Sequence, residues 1–227
     1  MSGNAEQQTF VFADLAGFTA LTEAHGDEQA ADLVDEFSHS VRTLLGEHGG
    51  EQVKSIGDAL LVRCDSADGA VGLGLCIVHD VADRHGFPSV RVGMHSGPAV
   101  ERRGDWFGAT VNTAARVAGL AGGGEVLLTE ATQALAGDDR RISFQPHGRH
   151  ELRNVAQPVR LYAALRSGTE MDSGRPIDPV CRMALDPGKA AGVLTHAGVE
   201  YHFCSLACVK SFASAPQSYA GEPDGSR

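Results

Sequence analysis

Residues 53–62, VKSIGDALLV, decide the fold of this chain. Apolar, β-favouring residues lie on both sides of the turn dipeptide Gly57-Asp58, and this pattern predicts a strand, a tight turn and a second strand. The hairpin presents Asp58 at its tip and Lys54 on the incoming strand. A carboxylate at a turn tip is well placed to hold a metal ion, and the nearby ammonium group could read a ligand beside that ion.

A second acidic residue is predicted to follow the short buried strand of residues 9–13, TFVFA. This strand delivers Asp14 in the way that the hairpin delivers Asp58. Two carboxylates at the tips of neighbouring strands are the geometry of a two-metal site for phosphoryl chemistry. The alternative is that both are ordinary turn or cap residues, as most aspartates at strand ends are.

Two polar residues share one face of the helix predicted for residues 110–121. Asn112 and Arg116 are at positions i and i+4, so their side chains are neighbours on the helix surface. Arg116 could stabilise charge that develops on a transferring phosphorus, and Asn112 could orient a ribose. The alternative is a solvated arginine beside an ordinary helix asparagine.

The order of the predicted elements indicates an α+β fold. Its core has the order βαββαβ, with helices on one face of a mainly antiparallel sheet. Residues 98–103 are predicted to form a short extended arm before the helix that carries Arg116. The chain is predicted to divide as follows: a first domain at 1–167, a linker at 168–177, a small module at 178–221 and a tail at 222–227.

Length, charge and hydropathy narrow the class of protein. A chain of 227 residues fits one or two domains. The net charge of −10, without a basic stripe, argues against binding to nucleic acid. It also means that metal ions and a few cationic side chains would have to hold a polyanionic substrate. No apolar run reaches the roughly 18 to 20 residues of a membrane span, and no secretory signal is seen at the N-terminus. We therefore expect a cytoplasmic protein that does not bind membranes.

Spaced motifs in the first domain carry a resemblance to a known family. These motifs are FxDxxGFT at 12–19, KxxGD at 54–58 and DxxGxxVNxxAR at 105–116. Together and in this order they resemble the class III nucleotidyl cyclase catalytic domain over roughly residues 8–165. The resemblance implies a ferredoxin-like cyclase sandwich as the fold.

The resemblance implies roles in metal and base binding. Asp14 and Asp58 match the two metal-binding carboxylates, the backbone carbonyl of Leu15 matches a further ligand, and two Mg²⁺ or Mn²⁺ ions are implied at each active site. Lys54 and Asp105 match the pair that reads the purine. The ammonium donates to adenine N1 and the carboxylate accepts from the N6 amine, whereas guanine presents the opposite pattern. The pair therefore favours ATP over GTP.

The resemblance also implies the reaction and the assembly. The ribose 3′-oxygen attacks the α-phosphorus in line, pyrophosphate leaves and 3′,5′-cyclic AMP forms, with Asn112 and Arg116 as the transition-state residues. The family works as a head-to-tail dimer, so this homodimer would have two equivalent active sites. One protomer would supply Asp14 and Asp58, and its partner the purine-reading pair and the transition-state residues.

Two segments depart from the family pattern. The arm at 100–104 is shorter than in the animal enzymes, and either Arg102 or Arg103 is expected to bind the triphosphate. Arg153 lies where the family often has a lysine for the phosphates. It is a candidate stand-in for that lysine, and the alternative is a surface cation.

The five cysteines divide into two groups. Cys64 and Cys76 lie alone in apolar stretches and are predicted to be buried core thiols. Cys181, Cys204 and Cys208 fall together near the C-terminus, which in a cytosolic chain suggests a metal site rather than a disulfide.

The C-terminal module resembles a YHS domain, a small metal-associated module related to the TRASH type. The resemblance rests on DPVCRM at 178–183, YHFCS at 201–205 and the later residues Cys208, Phe212, Pro216 and Tyr219. The three thiolates of the module suit Zn²⁺ or Cu⁺, and His202 or His196 could complete a tetrahedron, with a structural role as the alternative for His202. A metal would help so small a module to fold. The alternative is three packed thiols without an ion.

These observations lead to one main interpretation and two alternatives. The main interpretation is an adenylyl cyclase with an appended metal-responsive or interaction domain. The first alternative is a non-catalytic nucleotide-binding regulator that acts through dimerisation. The second is a metal sensor for which the cyclase domain is the effector.

Overall fold

The structure, a computed structural model, describes residues 7–82, 87–167 and 176–219. The strands are β1 (Gln7–Leu15), β2 (Gly50–Ile56), β3 (Ala59–Cys64), β4 (Val90–Pro98), β5 (Val100–Arg102), β6 (Asp105–Phe107), β7 (Val126–Thr129), β8 (Ile142–His150), β9 (Val159–Arg166), β10 (Gly192–His196) and β11 (Val199–Phe203). The helices are α1 (Phe18–His25), α2 (Asp27–Leu45), α3 (Ala67–Cys76), α4 (Ala109–Leu120), α5 (Glu130–Leu135) and α6 (Leu206–Ser214). Most of the predicted linker at 168–177 and the predicted tail at 222–227 lie outside the described residues.

A seven-stranded sheet has the strand order β2-β3-β1-β4-β7-β9-β8. Strand β1 lies inside the sheet and pairs antiparallel with both β3 and β4, while β4 and β7 are parallel. Both faces of β1 are covered, which explains why residues 10–13 read as an unbroken buried run. The prediction of an α+β fold with a mainly antiparallel sheet is confirmed.

Helices cover both faces of this sheet, so the expectation of helices on one face is wrong for α4. Val11, Ala13 and Leu15 of β1 share a hydrophobic cluster with residues of α2 and α3. The alternate residues Phe10 and Phe12 pack with residues of α4, and alternate residues of a strand face opposite sides. Helix α4 therefore lies on the other face, where its outer surface faces away from the main core.

Helix α4 crosses strand β4 at very short range. A Cβ atom at Gly93 would lie only 1.9 Å from the backbone nitrogen of Ala118, so a side chain at this position has no room. The glycine lets the helix backbone lie directly on the strand. This close packing fixes the position of the outward face of α4.

The predicted extended arm is a hairpin. Strands β5 and β6 pair antiparallel, and Arg103 and Gly104 form the turn between them, with φ angles of 56° and 77°. Two consecutive positive φ values are typical of the turns that join short antiparallel strands. Strand β6 lies beyond the predicted arm, which ended at residue 103, so its pairing with β5 was not predicted.

The C-terminal module is a two-stranded sheet, β10 and β11, with α6 packed against it. Its core residues Phe203 and Phe212 lie in one cluster with Leu21 of α1 and Ala30 of α2. A β-bridge between Pro88 and Met183 also joins the two parts of the chain. The module and the helices α1 and α2 therefore share a continuous apolar core.

Histidine 95 gives the fold a defined dependence on pH. Burial lowers the pKa of His95 from 6.5 to about 4, and its Nδ1 atom lies 2.7 Å from Thr129 Oγ1. The folded protein keeps the His95 ring neutral. The contribution of this neutral ring to the free energy of unfolding is therefore fully present above pH 6.5 and is lost as the pH falls towards 4. Between pH 7 and 5 we expect the free energy of unfolding to fall by about 2 kcal/mol more than in a His95→Gln variant. Urea unfolding at the two pH values measures this difference, and equal losses in both proteins would contradict it.

Candidate active site and thiol centre

The two predicted metal-binding carboxylates come together at one end of the sheet. Ala13 lies opposite Leu60 in the pairing of β1 and β3, so Asp14 and Asp58 leave the same end of neighbouring strands. Burial and then the hydrogen bond and charge of Asp14 raise the pKa of Asp58 to about 6. A divalent cation would neutralise two carboxylates held in this way, so the donor set fits Mg²⁺ or Mn²⁺. Leu15 is buried at the end of β1, and its side chain has no atom that can bind a metal ion. Its backbone carbonyl is therefore the group that it can offer to an ion.

An arginine that the sequence analysis missed adjoins this pair. Arg91 lies opposite Asp14 in the pairing of β1 and β4. Its Nε donates to Asp14 Oδ2 at 2.8 Å, and its Nη2 donates to the same oxygen. Arg91 therefore balances part of the negative charge and fixes the orientation of Asp14.

The predicted purine-reading pair is assembled in the single chain. Lys54 on β2 donates to both carboxylate oxygens of Asp105 on β6, at 2.7 and 2.8 Å. This ion pair lowers the pKa of Asp105. The Lys54 ammonium also lies 5.8 Å from the ring centre of Phe107. The hairpin of β5 and β6 thus places a carboxylate and an aromatic ring beside the one lysine of the first domain.

The predicted transition-state residues lie on the outward face of α4. Asn112 is exposed and Arg116 is half-buried, while the buried residues of the helix face the sheet. Among the described residues, neither side chain has a hydrogen bond or ion pair. Within the same residues, no hydrogen bond or ion pair joins Asp14 or Asp58 to Lys54 or Arg116. The chain therefore carries two separate groups of polar residues rather than one closed site.

The predicted phosphate-binding arginines are all exposed. Arg102 ends β5 and Arg103 lies in the turn that follows, so both side chains project from the β5–β6 hairpin. Arg153 lies in the loop between β8 and β9, next to the buried Leu152. Within the described ranges none of the three arginines forms an ion pair, and the choice between Arg102 and Arg103 stays open.

The three clustered cysteines converge with a histidine that the sequence analysis missed. Cys204 Sγ lies 3.4 Å from Cys181 Sγ, 3.7 Å from Cys208 Sγ and 3.4 Å from Nε2 of His25. These four donor atoms all lie within 4.8 Å of one another. The hydrogen bond with Cys181 lowers the pKa of the Cys208 thiol, whereas the hydrogen bond with Cys204 raises the pKa of the Cys181 thiol.

The expectation of a fourth ligand from His202 or His196 is wrong. His202 Nε2 pairs with Glu200 at 3.0 Å, and the ring of His196 packs edge-on against Phe212. Neither residue belongs to the cluster of four donors in the described structure. The tertiary packing of α1 supplies His25 instead, which no local pattern in the C-terminal module could show.

A buried carboxylate positions two of the thiols. Asp178 is fully buried, and its Oδ1 accepts hydrogen bonds from the backbone N–H groups of Val180 and Cys181. Its Oδ2 accepts from the backbone N–H of Cys204 at 2.8 Å. Asp178 therefore holds the two cysteine-bearing segments of the module in register.

The sheet order, the paired carboxylates and the outward face of α4 define a catalytic domain of the nucleotide cyclase type. A family model of the adenylate and guanylate cyclase catalytic domain matches residues 2–165, and a YHS domain model matches residues 177–222. The chain belongs to the adenylate and guanylate cyclase family and carries a YHS domain. Both resemblances inferred from the sequence are confirmed.

Two of the named relatives are bacterial adenylate cyclases. A pH-sensitive adenylate cyclase of Mycobacterium tuberculosis is 35% identical, over 75% of this chain and 43% of the relative. An adenylate cyclase of Streptomyces griseus is 32% identical, over 78% of this chain and 44% of the relative. The chain therefore spans less than half the length of these curated relatives.

Solved structures show the same fold. The adenylyl cyclase CyaB of Pseudomonas aeruginosa superposes with a TM-score of 0.62 at 22% identity, over 73% of this chain and 97% of that structure. The catalytic core of a rhodopsin-guanylyl cyclase with converted specificity, in complex with ATPαS, superposes with a TM-score of 0.65 at 23% identity, over 71% and 96% of the two chains. The predicted cyclase sandwich is thereby confirmed as the fold.

Hydropathy along the helices gives one further observation. In the part of the chain that the structure describes, no helix combines the length and the apolar character that crossing a membrane requires.

Proposed function

We propose that this protein is an adenylyl cyclase that converts ATP to 3′,5′-cyclic AMP and pyrophosphate in a head-to-tail homodimer. The observation that carries the proposal is the convergence of Asp14 and Asp58 at adjoining strand ends. Relatives that are named adenylate cyclases support the same activity. The experiment is to incubate the purified chain with ATP and Mg²⁺ or Mn²⁺ and to measure cyclic AMP. No cyclic product with either metal would favour a non-catalytic nucleotide-binding regulator.

Asp14, Asp58 and the carbonyl of Leu15 would hold two divalent cations. When bound, such ions lower the pKa of the attacking hydroxyl and neutralise phosphate charge. Arg91 keeps the Asp14 carboxylate in place through its two donors. Asp14 lies within β1 and Asp58 lies in the two-residue turn between β2 and β3, so both carboxylates are positioned by the sheet before an ion binds.

The remaining polar residues would position ATP and stabilise its reaction. Asn112 orients the ribose so that its 3′-oxygen lies in line with the α-phosphorus. The 3′-hydroxyl gives up its proton to solvent, its oxygen forms the new bond to this phosphorus, and the bond from the phosphorus to the bridging oxygen breaks, so pyrophosphate leaves with the electron pair. Arg116 stabilises the charge that develops on the phosphoryl oxygens, and Arg102, Arg103 and Arg153 are candidates for contacts to the triphosphate.

A second copy of the chain would complete each site. Arg116 lies on an outward face without an ion pair among the described residues, while the carboxylates lie at the strand ends. Three large apolar side chains beside the purine-reading pair are about half exposed: Ile56 at 50%, Val100 at 53% and Phe107 at 51%. An apolar surface of this kind favours burial against another protein surface. A two-fold axis would then generate two equivalent active sites.

The YHS domain is proposed to bind a thiophilic ion such as Zn²⁺ or Cu⁺ through Cys181, Cys204 and Cys208. The donor set supports this, since three sulfurs lie within contact distance in a small module with a limited core. This part of the proposal is separate from nucleotide turnover.

Replacing Lys54 with glutamate tests the assignment of the purine-reading pair. The ammonium offers donors to adenine N1, and a glutamate would place an acceptor there and repel Asp105. We expect kcat/KM for ATP to fall by about 10² to 10³ in Lys54→Glu, with little change in the unfolding midpoint. Lys189→Glu, a matched change on the exposed surface of the YHS domain, should keep parental turnover.

The parent protein should also prefer ATP over GTP by about 10²-fold or more in kcat/KM. Competition between the two nucleotides at equal concentration measures this preference. Equal use of ATP and GTP would contradict the assignment of Lys54 and Asp105, although it would leave cyclase activity itself in place.

A further inference from the structure

In the thiol centre, the three distances from Cys204 Sγ to the other donor atoms are close to those of a tetrahedral metal site, and all four donor atoms lie within 4.8 Å of one another. A zinc ion binds thiolate sulfur at about 2.3 Å and histidine nitrogen at about 2.0 to 2.1 Å. These bond lengths place neighbouring donors of a regular tetrahedron about 3.5 to 3.8 Å apart. The distances from Cys204 Sγ to the other three donors are 3.4, 3.7 and 3.4 Å. The set is therefore nearly closed around one small ion.

The donors come from both parts of the chain. Cys181, Cys204 and Cys208 belong to the YHS domain, whereas His25 is the last residue of α1 in the cyclase domain. The histidine and Cys204 are 179 positions apart in sequence. A metal ion at this position would therefore connect the two domains rather than stabilise one domain alone.

We propose that His25 completes a Cys₃His site for a zinc-class ion, and that this ion fastens the YHS domain to helix α1 of the cyclase domain. The inference rests on the thiol-binding part of the proposed function and adds its fourth ligand and its structural effect. Three thiolates and one imidazole form a complete structural zinc site without an open position. The ion therefore acts in structure and not in phosphoryl chemistry.

Packing around the site already prepares this connection. Leu21 of α1 lies in the same cluster as Phe203 and Phe212 of the YHS domain. The backbone carbonyl of Arg182, next to Cys181, accepts a hydrogen bond from the backbone N–H of Ser89 at 3.1 Å. A Cβ atom at Gly17 would lie 2.5 Å from the Arg182 side chain, so this side chain packs directly against the Gly17 backbone. The donors are thus held by rigid neighbours on both sides.

The fastened helix is the one that follows the carboxylate of the active site. Asp14 and Leu15 precede α1 by only a few residues, and His25 ends the same helix. The ion would therefore fix the far end of the segment whose near end binds the catalytic metals. Binding of an ion in the YHS domain could therefore affect the position of the active-site carboxylate through helix α1.

The test measures metal binding with matched variants of the full chain. Reduced, metal-free protein is titrated with Zn²⁺ in competition with a chromophoric chelator, and Co²⁺ is used as the spectroscopic probe. We expect the parent to bind one ion per chain tightly enough to withdraw it from the chelator, and this ion should give the absorption of tetrahedral Co²⁺ bound to sulfur and nitrogen. His25→Ala should weaken binding by at least tenfold and alter that absorption.

Two further variants make the result specific. His25→Cys should restore tight binding and increase the sulfur-to-cobalt absorption, because a Cys₄ set also holds zinc. His39→Ala removes an exposed histidine of α2 and should leave both measurements at the parental values. Restoration by cysteine would not follow if His25 contributed only packing.

The outcomes separate the two proposals. Parental affinity and absorption in His25→Ala would show that His25 is not a ligand, while the three thiols would stand as metal ligands. No bound ion in the reduced parent would overturn both the Cys₃His site and thiol binding. Cyclic AMP formation is measured separately, and Asp58→Ala should abolish it while leaving the Co²⁺ absorption unchanged.

Discussion

Replacing Asp58 with asparagine is expected to lower the rate of cyclic AMP formation by about 10³-fold or more. The amide keeps the shape of the side chain but removes the negative charge that would hold the catalytic cations. Because both carboxylates are proposed to bind the same pair of ions, Asp14→Asn should have an effect of similar size. The measurement is cyclic AMP production at saturating Mg²⁺ or Mn²⁺.

The same substitution should leave the protein at least as stable as the parent. Burial and Asp14 raise the pKa of Asp58 to about 6, so the ionised carboxylate is destabilised in the folded state. A carboxyl group whose pKa is raised by folding costs stability as the pH rises above its unfolded pKa, and the cost is complete above its folded pKa. A neutral amide removes that cost. At pH 8 without divalent cations, the unfolding midpoint of Asp58→Asn should equal or exceed that of the parent.

A matched control distinguishes the loss of a carboxylate at the active site from the loss of a carboxylate elsewhere on the surface. Asp35 lies exposed on α2, and Asp35→Asn makes the same chemical change on the surface of the molecule. This control should retain parental turnover. Substantial cyclic AMP formation by Asp58→Asn would remove Asp58 from the metal site, and loss of folding in that variant would contradict the argument from repulsion.

Replacing Arg116 with alanine is expected to lower kcat by about 10² to 10³, with a smaller change in KM. The reason is that its charge is proposed to act on the phosphoryl oxygens only as the bond to pyrophosphate breaks. Arg116 has no ion pair in the part of the chain that the structure describes, so its loss should leave the unfolding midpoint within a degree or two of the parental value. Steady-state kinetics with ATP and a thermal unfolding scan make the two comparisons.

Arg149→Ala is the control for this variant. Arg149 is exposed on β8, so its replacement by alanine removes the same charge from another part of the surface. It should retain parental kcat and KM. A purely higher KM in Arg116→Ala would assign the residue to ground-state binding, and parental kinetics would exclude it from the site.

The strand ends that carry the carboxylates could be predicted because their signals are local. Gly57-Asp58 is a turn dipeptide between apolar runs, and Asp14 directly follows a buried run. The strand predicted for residues 9–13 lies within β1, and the helix predicted for residues 110–121 matches α4 to within one residue at each end. Periodicity and turn residues specify these elements without reference to distant parts of the chain.

The residues that were missed depend on tertiary contacts. Arg91 meets Asp14 from 77 positions away, through the pairing of β1 and β4, and His25 meets Cys204 from 179 positions away. Strand β6 was missed because Arg103 is not a usual residue for a turn position with positive φ. No local pattern marks contacts of this kind, so the charge balance at Asp14 and the fourth donor of the thiol centre required the folded structure.

The most direct test of the shared active site is to combine two inactive variants. Asp58→Asn retains Arg116, and Arg116→Ala retains Asp58, so a mixed dimer has one site with both residues and one with neither. If the variants are co-expressed in equal amounts and associate at random, half of the dimers are mixed and about a quarter of parental cyclic AMP formation should return. If a single protomer supplied every residue of its own site, the mixture would remain as inactive as each variant alone, and that result would contradict the account.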